Sequence, residues 1–360
     1  MAILMKFMIF GVFISYLSLL LPLGIVWSQL SDIPIISTRN HYNLSSGNST
    51  PSNSSYSVFD NTNIISTCPN ETVLYVHGVW VGENSLESPD EAFDRLNLSL
   101  SHNGYRFPLV GYSWDSDTDI STQGWNVAKH IAAKNGENLA NFISNYKQQC
   151  SNTEIRVIAH SLGARVVLES LEHLDKNTTW NNNGFKILSV DLIGAAVDDE
   201  EISKDQNDRY DDDLYPFSLD YDPSIKNVYG NAIEHQVGYF VNFYNSEDDV
   251  LEPYSECRFF VCQHIYYPLY ERDLAIGQSG AQSDITIPGN YNQTDVKDEI
   301  IYNDDASGDG ICDLYIPHTF ICSITREGDN HFGYIGFRDY YNQNDLIDDG
   351  TINKIFESWR

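Results

Sequence analysis

Short apolar runs alternate with longer amphipathic stretches along most of this chain. Thr72-Val73-Leu74-Tyr75-Val76 is a continuous apolar run ended by His77-Gly78, which predicts a buried strand. Glu91, Ala92, Phe93, Leu96 and Leu100 then recur at helical spacing. Pro108 to Trp114 predicts the next strand, and residues 123–148 a long helix whose apolar face carries Leu139, Phe142, Ile143 and Tyr146. Ile155-Arg156-Val157-Ile158 predicts a third strand, followed directly by a helix from Leu162. Strands at 186–193 and 237–244 and a closing helix at 351–360 complete the pattern. Strands alternating with helices imply right-handed βαβ units, hence an α/β fold with a mainly parallel sheet covered on both faces.

Three regions break the rhythm. Residues 29–67 are rich in Ser, Asn and Thr, and their composition predicts a flexible linker ahead of a folded domain over 68–360. Residues 198–234 are acidic and Tyr-rich and are a candidate cap over the strand ends. Residues 252–330 form a long insertion punctuated by Cys, Pro, Gly and Asp.

The first 28 residues are of a different kind. Lys6 precedes an uncharged apolar stretch over 7–27, and Val26 and Ser28 are the small residues that a leader cleavage site before Gln29 requires. The stretch also approaches the ~20 residues that span a bilayer, so an uncleaved N-terminal anchor is the alternative. Either reading puts the body of the protein outside the cytoplasm. Six cysteines agree with export. Cys68 and Cys150 each stand just before a predicted parallel strand, at one edge of one sheet, which favours their pairing. Cys257 with Cys262 and Cys312 with Cys322 are the local pairs that remain. Sequons at Asn43, Asn48, Asn53, Asn70, Asn97, Asn177 and Asn292 are candidate glycan acceptors.

The net charge of -30 would repel phosphates, which excludes nucleic acid as a partner and argues against charge-driven adhesion to an anionic membrane. Membrane association would come only through the N-terminal anchor.

The chemistry is concentrated at Ala159-His160-Ser161-Leu162-Gly163, between predicted strand and predicted helix. Strand, sharp turn with a central serine, and helix is the form of a nucleophile elbow, and small residues two positions either side of the serine are what that turn requires. The plain alternative is a serine that only caps the helix. A serine nucleophile needs an imidazole base, a carboxylate to orient it, and N–H donors for the oxyanion. Asp248, after the strand Phe240-Val241-Asn242-Phe243-Tyr244, is the candidate acid, with Asp249 and Asp198 as alternatives. His331, in Asp329-Asn330-His331-Phe332-Gly333, is the candidate base, and His318 its rival. His160 diverges from the serine on the elbow and is not expected to be the base. The N–H of Leu162 and that of Val79 or Trp80 are the candidate oxyanion donors.

On the strength of Val76-His77-Gly78, Ala159-His160-Ser161-Leu162-Gly163, Asp248-Asp249-Val250-Leu251 and Asn330-His331-Phe332-Gly333, residues 73–334 resemble the α/β-hydrolase superfamily. The Ala159-to-Arg165 string is most similar to lipase- and esterase-like serine hydrolases. The resemblance implies Ser/Asp/His acyl transfer through an acyl-enzyme, no required cofactor, and a small-molecule or lipid ester as substrate. The long insertion before His331 departs from the family pattern. A non-catalytic envelope or binding protein on the same fold, and a peptidase or acyltransferase with the same triad, are the competing functional readings.

Asp305, Ser307, Asp309 and Asp313 space oxygen side chains along one loop with Gly310 at its turn. Hard oxygen donors in that arrangement suit a structural Ca²⁺, and the loop is similar to thrombospondin-type calcium loops.

Overall fold

The computed structural model describes residues 33–51, 55–61, 63–82, 88–119, 121–208, 227–248, 250–251, 274–300, 331–338 and 346–360. The leader, Asp249, His318, the Asp305–Asp313 loop and the Cys257, Cys262, Cys312 and Cys322 positions lie outside them.

The strands are β1 (Ile35–Ser37), β2 (Ser57–Phe59), β3 (Glu71–Val76), β4 (Leu109–Ser113), β5 (Glu154–His160), β6 (Ile187–Ile193), β7 (Val237–Tyr244) and β8 (Tyr291–Asp295). Among the described residues they form one sheet in the order β2-β1-β4-β3-β5-β6-β7-β8. Every neighbouring pair is parallel except β2 on β1. The helices are α1 (Pro89–His102), α2 (Thr122–Gln149), α3 (Gly163–Asp175), α4 (Thr178–Asn182) and α5 (Gly230–Gln236), with a terminal helix at Ile352–Ser358.

Alternation along the strands sorts the core into two layers. On β5, Ile155, Val157 and Ala159 face the layer that holds α2 and α3, while Ile158 faces the layer under α1 and the terminal helix. Helix α1 begins where the sequence supplies a capping box: Ser88 Oγ accepts from the Glu91 N–H, and Glu91 accepts from the Ser88 N–H at 2.9 Å. Cys68 and Cys150 are joined, tying the entry of β3 to the end of α2.

Two expectations need correcting. The stretch 29–67 is not simply linker, because β1 lies inside the sheet against β4 and β2 closes that edge. Ile36 is fully buried, and the polar groups around it find partners on the main body. Thr38 Oγ1 donates to Asn135 Oδ1 at 2.6 Å, and Asp115 accepts from the Asn40 and Tyr42 N–H groups. The insertion over 252–330 is likewise not all loop, since it contributes β8, parallel to β7. Among the described residues no helix is long and apolar enough to cross a membrane.

The chain leaves β3 toward β4 on one side and leaves β5 toward β6 on the other. Between β3 and β5 the two departures diverge and open a crevice at the carboxyl ends of the strands. The loop 77–82 follows β3, and Ser161 follows β5, so both stand at that crevice.

Candidate active site

Ser161 sits in the left-handed region with φ of +54°, a conformation a serine adopts only where its surroundings impose it. Its N–H donates to Ile193 O at 3.1 Å, and its carbonyl accepts from Ala164 and Ala196. The turn is tight: a β-carbon on Gly163 would stand 2.5 Å from Val76 O, so helix α3 could not approach β3 with a larger residue there. Ala159 is fully buried.

His331 Nδ1 lies 2.7 Å from Asp248 Oδ2. A carboxylate oxygen accepts, so Nδ1 carries a proton and Nε2 is the nitrogen left on the far side of the ring. That second nitrogen is buried with no hydrogen-bond partner among the described residues. The ring stands beside the serine turn, with Cε1 3.2 Å from the place a Gly194 β-carbon would take, between Ile193 and Ala196, whose neighbourhood bonds the Ser161 backbone.

Asp248 is fully buried and its oxygens are held on both sides. Oδ1 accepts from the Val250 and Leu251 N–H groups at 3.1 and 3.0 Å. Oδ2 accepts from His331 and from the Tyr334 hydroxyl at 3.1 Å. Burial, and then the neighbouring Asp248 charge, hold the Tyr334 phenol far above its usual pKa, so it remains a donor. The structure thus brings Asp248 and His331 together. Asp198 pairs through its backbone with Ala275.

The loop after β3 refines the donor set. The Trp80 N–H donates to Ser116 O at 2.9 Å and is therefore not available to an oxyanion. The N–H groups of Val79 and Leu162 have no acceptor among the described residues. Trp80 has φ of +54°, so the loop, like the serine turn, carries a non-glycine residue in the left-handed region.

His160 does not diverge idly. Its Nε2 donates to His331 O at 2.9 Å, and the two rings lie 4.8 Å apart. Burial lowers its pKa well below the usual imidazole value, and the adjacent His331 lowers it further. It is a neutral side chain on the serine turn that holds the loop of the second imidazole.

Comparison with known families agrees with this architecture. The model described as "Alpha/beta hydrolase of unknown function (DUF900)" matches residues 60–228, which include β3, β5 and the serine turn.

The chain has an α/β-hydrolase fold.

Among solved structures, the chain is similar to a Trichoderma reesei cutinase in complex with a phosphonate inhibitor, at 25% identity and TM-score 0.24, over 36% of this chain and 52% of that one. A cutinase-like protein from Cryptococcus sp. matches at 16% identity and TM-score 0.27, over 47% and 75%. The catalytic core of a Trichoderma reesei acetyl xylan esterase matches at 11% identity and TM-score 0.27, over 38% and 68%. The chain spans about half the length of that cutinase. No curated protein matches it.

Several groups that shape the candidate site carry no signal of their own in the sequence. Arg95 on α1 donates to Phe332 O and Gly336 O at 3.2 and 3.1 Å. Ser99, one turn along, donates to Ile335 O at 2.7 Å. Thr351 Oγ1 donates to Tyr334 O at 2.9 Å. Together they fix the backbone that carries His331. In the sequence, Arg95 and Ser99 interrupt an apolar helix face, which was the only available hint. Among the described residues no group of His, Cys, Asp and Glu is arranged to hold a metal ion.

Proposed function

We propose that this α/β-hydrolase is an exported serine hydrolase that cleaves carboxylic esters. The observation that carries the reading is the pairing of His331 Nδ1 with a fully buried Asp248, which leaves Nε2 without a partner among the described residues, in a ring packed against Gly194, whose neighbours Ile193 and Ala196 bond the backbone of a serine in the left-handed elbow conformation. In this reading Nε2 takes the Ser161 proton as Oγ attacks the ester carbonyl. Asp248 fixes the tautomer and stabilises the imidazolium. The Leu162 and Val79 N–H groups receive the developing oxyanion. Collapse expels the alcohol, protonated by His331, and leaves an acyl-enzyme that water hydrolyses by the same route.

The apolar leader, the Cys68–Cys150 disulfide and the sequons support export. An ester is the favoured substrate because the lipase- and esterase-like resemblance lies in the serine turn itself.

The test is a panel of aryl esters, lipid esters and peptides, read beside fluorophosphonate labelling. Stoichiometric labelling lost in Ser161→Ala, with ester turnover lost alongside, is the expected result. A native protein that neither labels nor turns over any ester would instead be a binding protein on a hydrolase fold.

A further inference from the structure

Arg39 follows β1, in the stretch whose composition reads as linker. Its guanidinium reaches across β4 to the loop after β3. Nε donates to Ser113 Oγ at 2.9 Å, and Nη2 donates to Val81 O at 2.6 Å. The same Nη2 lies 3.3 Å from His77 Nε2.

Those contacts settle the His77 tautomer. A guanidinium can only donate, and so can the Trp114 N–H, which also points at Nε2 from 3.3 Å. Nε2 is therefore the acceptor and the ring proton sits on Nδ1. Nδ1 is 2.8 Å from Gly78 O, which can only accept, so the assignment is consistent at both nitrogens. The ring is fully buried and stacks on Trp114, with centroids 5.8 Å apart. Burial first, and then the Arg39 charge, lower the His77 pKa well below the usual imidazole value.

The Gly78–Val79 peptide unit is what this arrangement holds. In a trans peptide the carbonyl and the following N–H point in opposite directions. Fixing Gly78 O against His77 therefore fixes where the Val79 N–H points. The same backbone passes directly over the serine, since a β-carbon on Gly78 would stand 2.8 Å from Ser161 Cβ. The far end of the loop is pinned by Val81 O, which accepts from both Arg39 and Ser116 Oγ.

We infer that Arg39 is a positioning residue for the oxyanion donor: it holds Val81 directly and, by locking His77 as a Nδ1–H donor to Gly78, orients the Val79 N–H. The inference rests on the serine-hydrolase reading of the site. It gives the strand pair at the sheet edge a part in the chemistry, through a guanidinium that touches no substrate.

The experiment uses the full chain with Arg39→Met and Arg39→Lys, a short-chain aryl ester, and thermal unfolding as the control for folding. An oxyanion donor acts in the transition state, so a misaligned one lowers kcat and leaves KM nearly unchanged. Arg39→Met is expected to lose about tenfold or more in kcat, below the ~10²–10³ typical of deleting a donor outright, with KM within about twofold. Arg39→Lys keeps the charge and a donor for Val81 but cannot engage Ser113, His77 and Val81 together, so it is expected to recover only part of the loss. A folded Arg39→Met with wild-type kcat overturns the inference. Should Arg39→Met fail to fold, Arg39→Lys decides: a fall confined to kcat supports the inference, and wild-type kcat overturns it. Failure of the hydrolase reading would show in the wild-type protein, as absent turnover, whereas failure of the Arg39 inference would show in the variants alone.

Discussion

Gly194 stands so close to Tyr334 that a β-carbon on it would come within 2.7 Å of the phenol ring. Its φ of +52° also disfavours any side chain. Gly194→Ala should therefore push Tyr334, and His331 behind it, away from the serine turn. The expected outcome is a loss of kcat of at least about tenfold together with about 1–3 kcal/mol of stability, read by ester turnover and urea unfolding.

Tyr334→Phe tests the contact beyond that packing. The ring remains, but Asp248 Oδ2 loses the hydroxyl donor at 3.1 Å and keeps His331 alone. Loss of a hydrogen bond to a buried charged group costs about 1.5–3 kcal/mol. Stability should fall by that order, and kcat should fall while the KM for a soluble ester stays near wild type.

The role of His160 can be separated from that of the imidazole it supports. His160→Gln retains an N–H donor for His331 O, whereas His160→Phe fills the space without one. The expected order of kcat is wild type, then Gln, then Phe, with the Phe variant down by about tenfold, a misplacement effect rather than removal of a catalytic group. Equal kcat for the Gln and Phe variants would mean that the donor has no role.

Asp191 gives a pH signature of its own. It is fully buried on β6, where Oδ2 accepts from Ser189 Oγ and from Trp359 Nε1 at 3.0 and 2.9 Å. Burial raises its pKa to about 7, against the partial relief of those two donors and of Arg156. A carboxyl whose folded pKa lies above its unfolded value binds more protons when folded, so its contribution to stability falls as pH rises between about 4 and 7 and then levels off. Asp191→Asn keeps an oxygen for Trp359 and Ser189 and removes that titration. Urea unfolding at pH 5 and pH 8 should show the variant gaining on wild type at the higher pH, by on the order of 2–4 kcal/mol.

The Cys68–Cys150 disulfide closes a large loop, with a sequence separation of 82. In the chain-entropy model its removal costs about 4–5 kcal/mol. Cys68→Ala with Cys150→Ala should unfold at markedly lower urea while keeping ester turnover at low temperature, because the link lies at the opposite end of β3 and β5 from the serine.

Elements that bury a continuous apolar run were legible before the fold was known. Strands β3 to β7, helices α1 to α3 and the terminal helix all announce themselves through burial, and the serine turn through small residues between strand and helix. The strands that local pattern does not display bury little. β2 is exposed throughout, and β8 reads Tyr-Asn-Gln-Thr-Asp, with only Tyr291 buried. β1 owes its place to Ile36 and to hydrogen bonds made by partners far along the chain, such as Asn135 and Asp115, which no local pattern displays. Within the site, residue types were readable and directions were not. Val79 and Trp80 were equivalent candidates until Ser116 O proved to hold one of them. His160 showed its relation to His331 only once β5 and the late loop stood side by side.

The divergence of the chain at β3 and β5 has a practical outcome for redesign. In the proposed mechanism Ser161, Asp248, His331 and Val79 supply nucleophile, acid, base and oxyanion donor, and each arises from a different connection of the chain. Any one of those connections can be lengthened, shortened or exchanged while the other three keep their footing, so a new acyl preference can be engineered without rebuilding the machinery that breaks the bond.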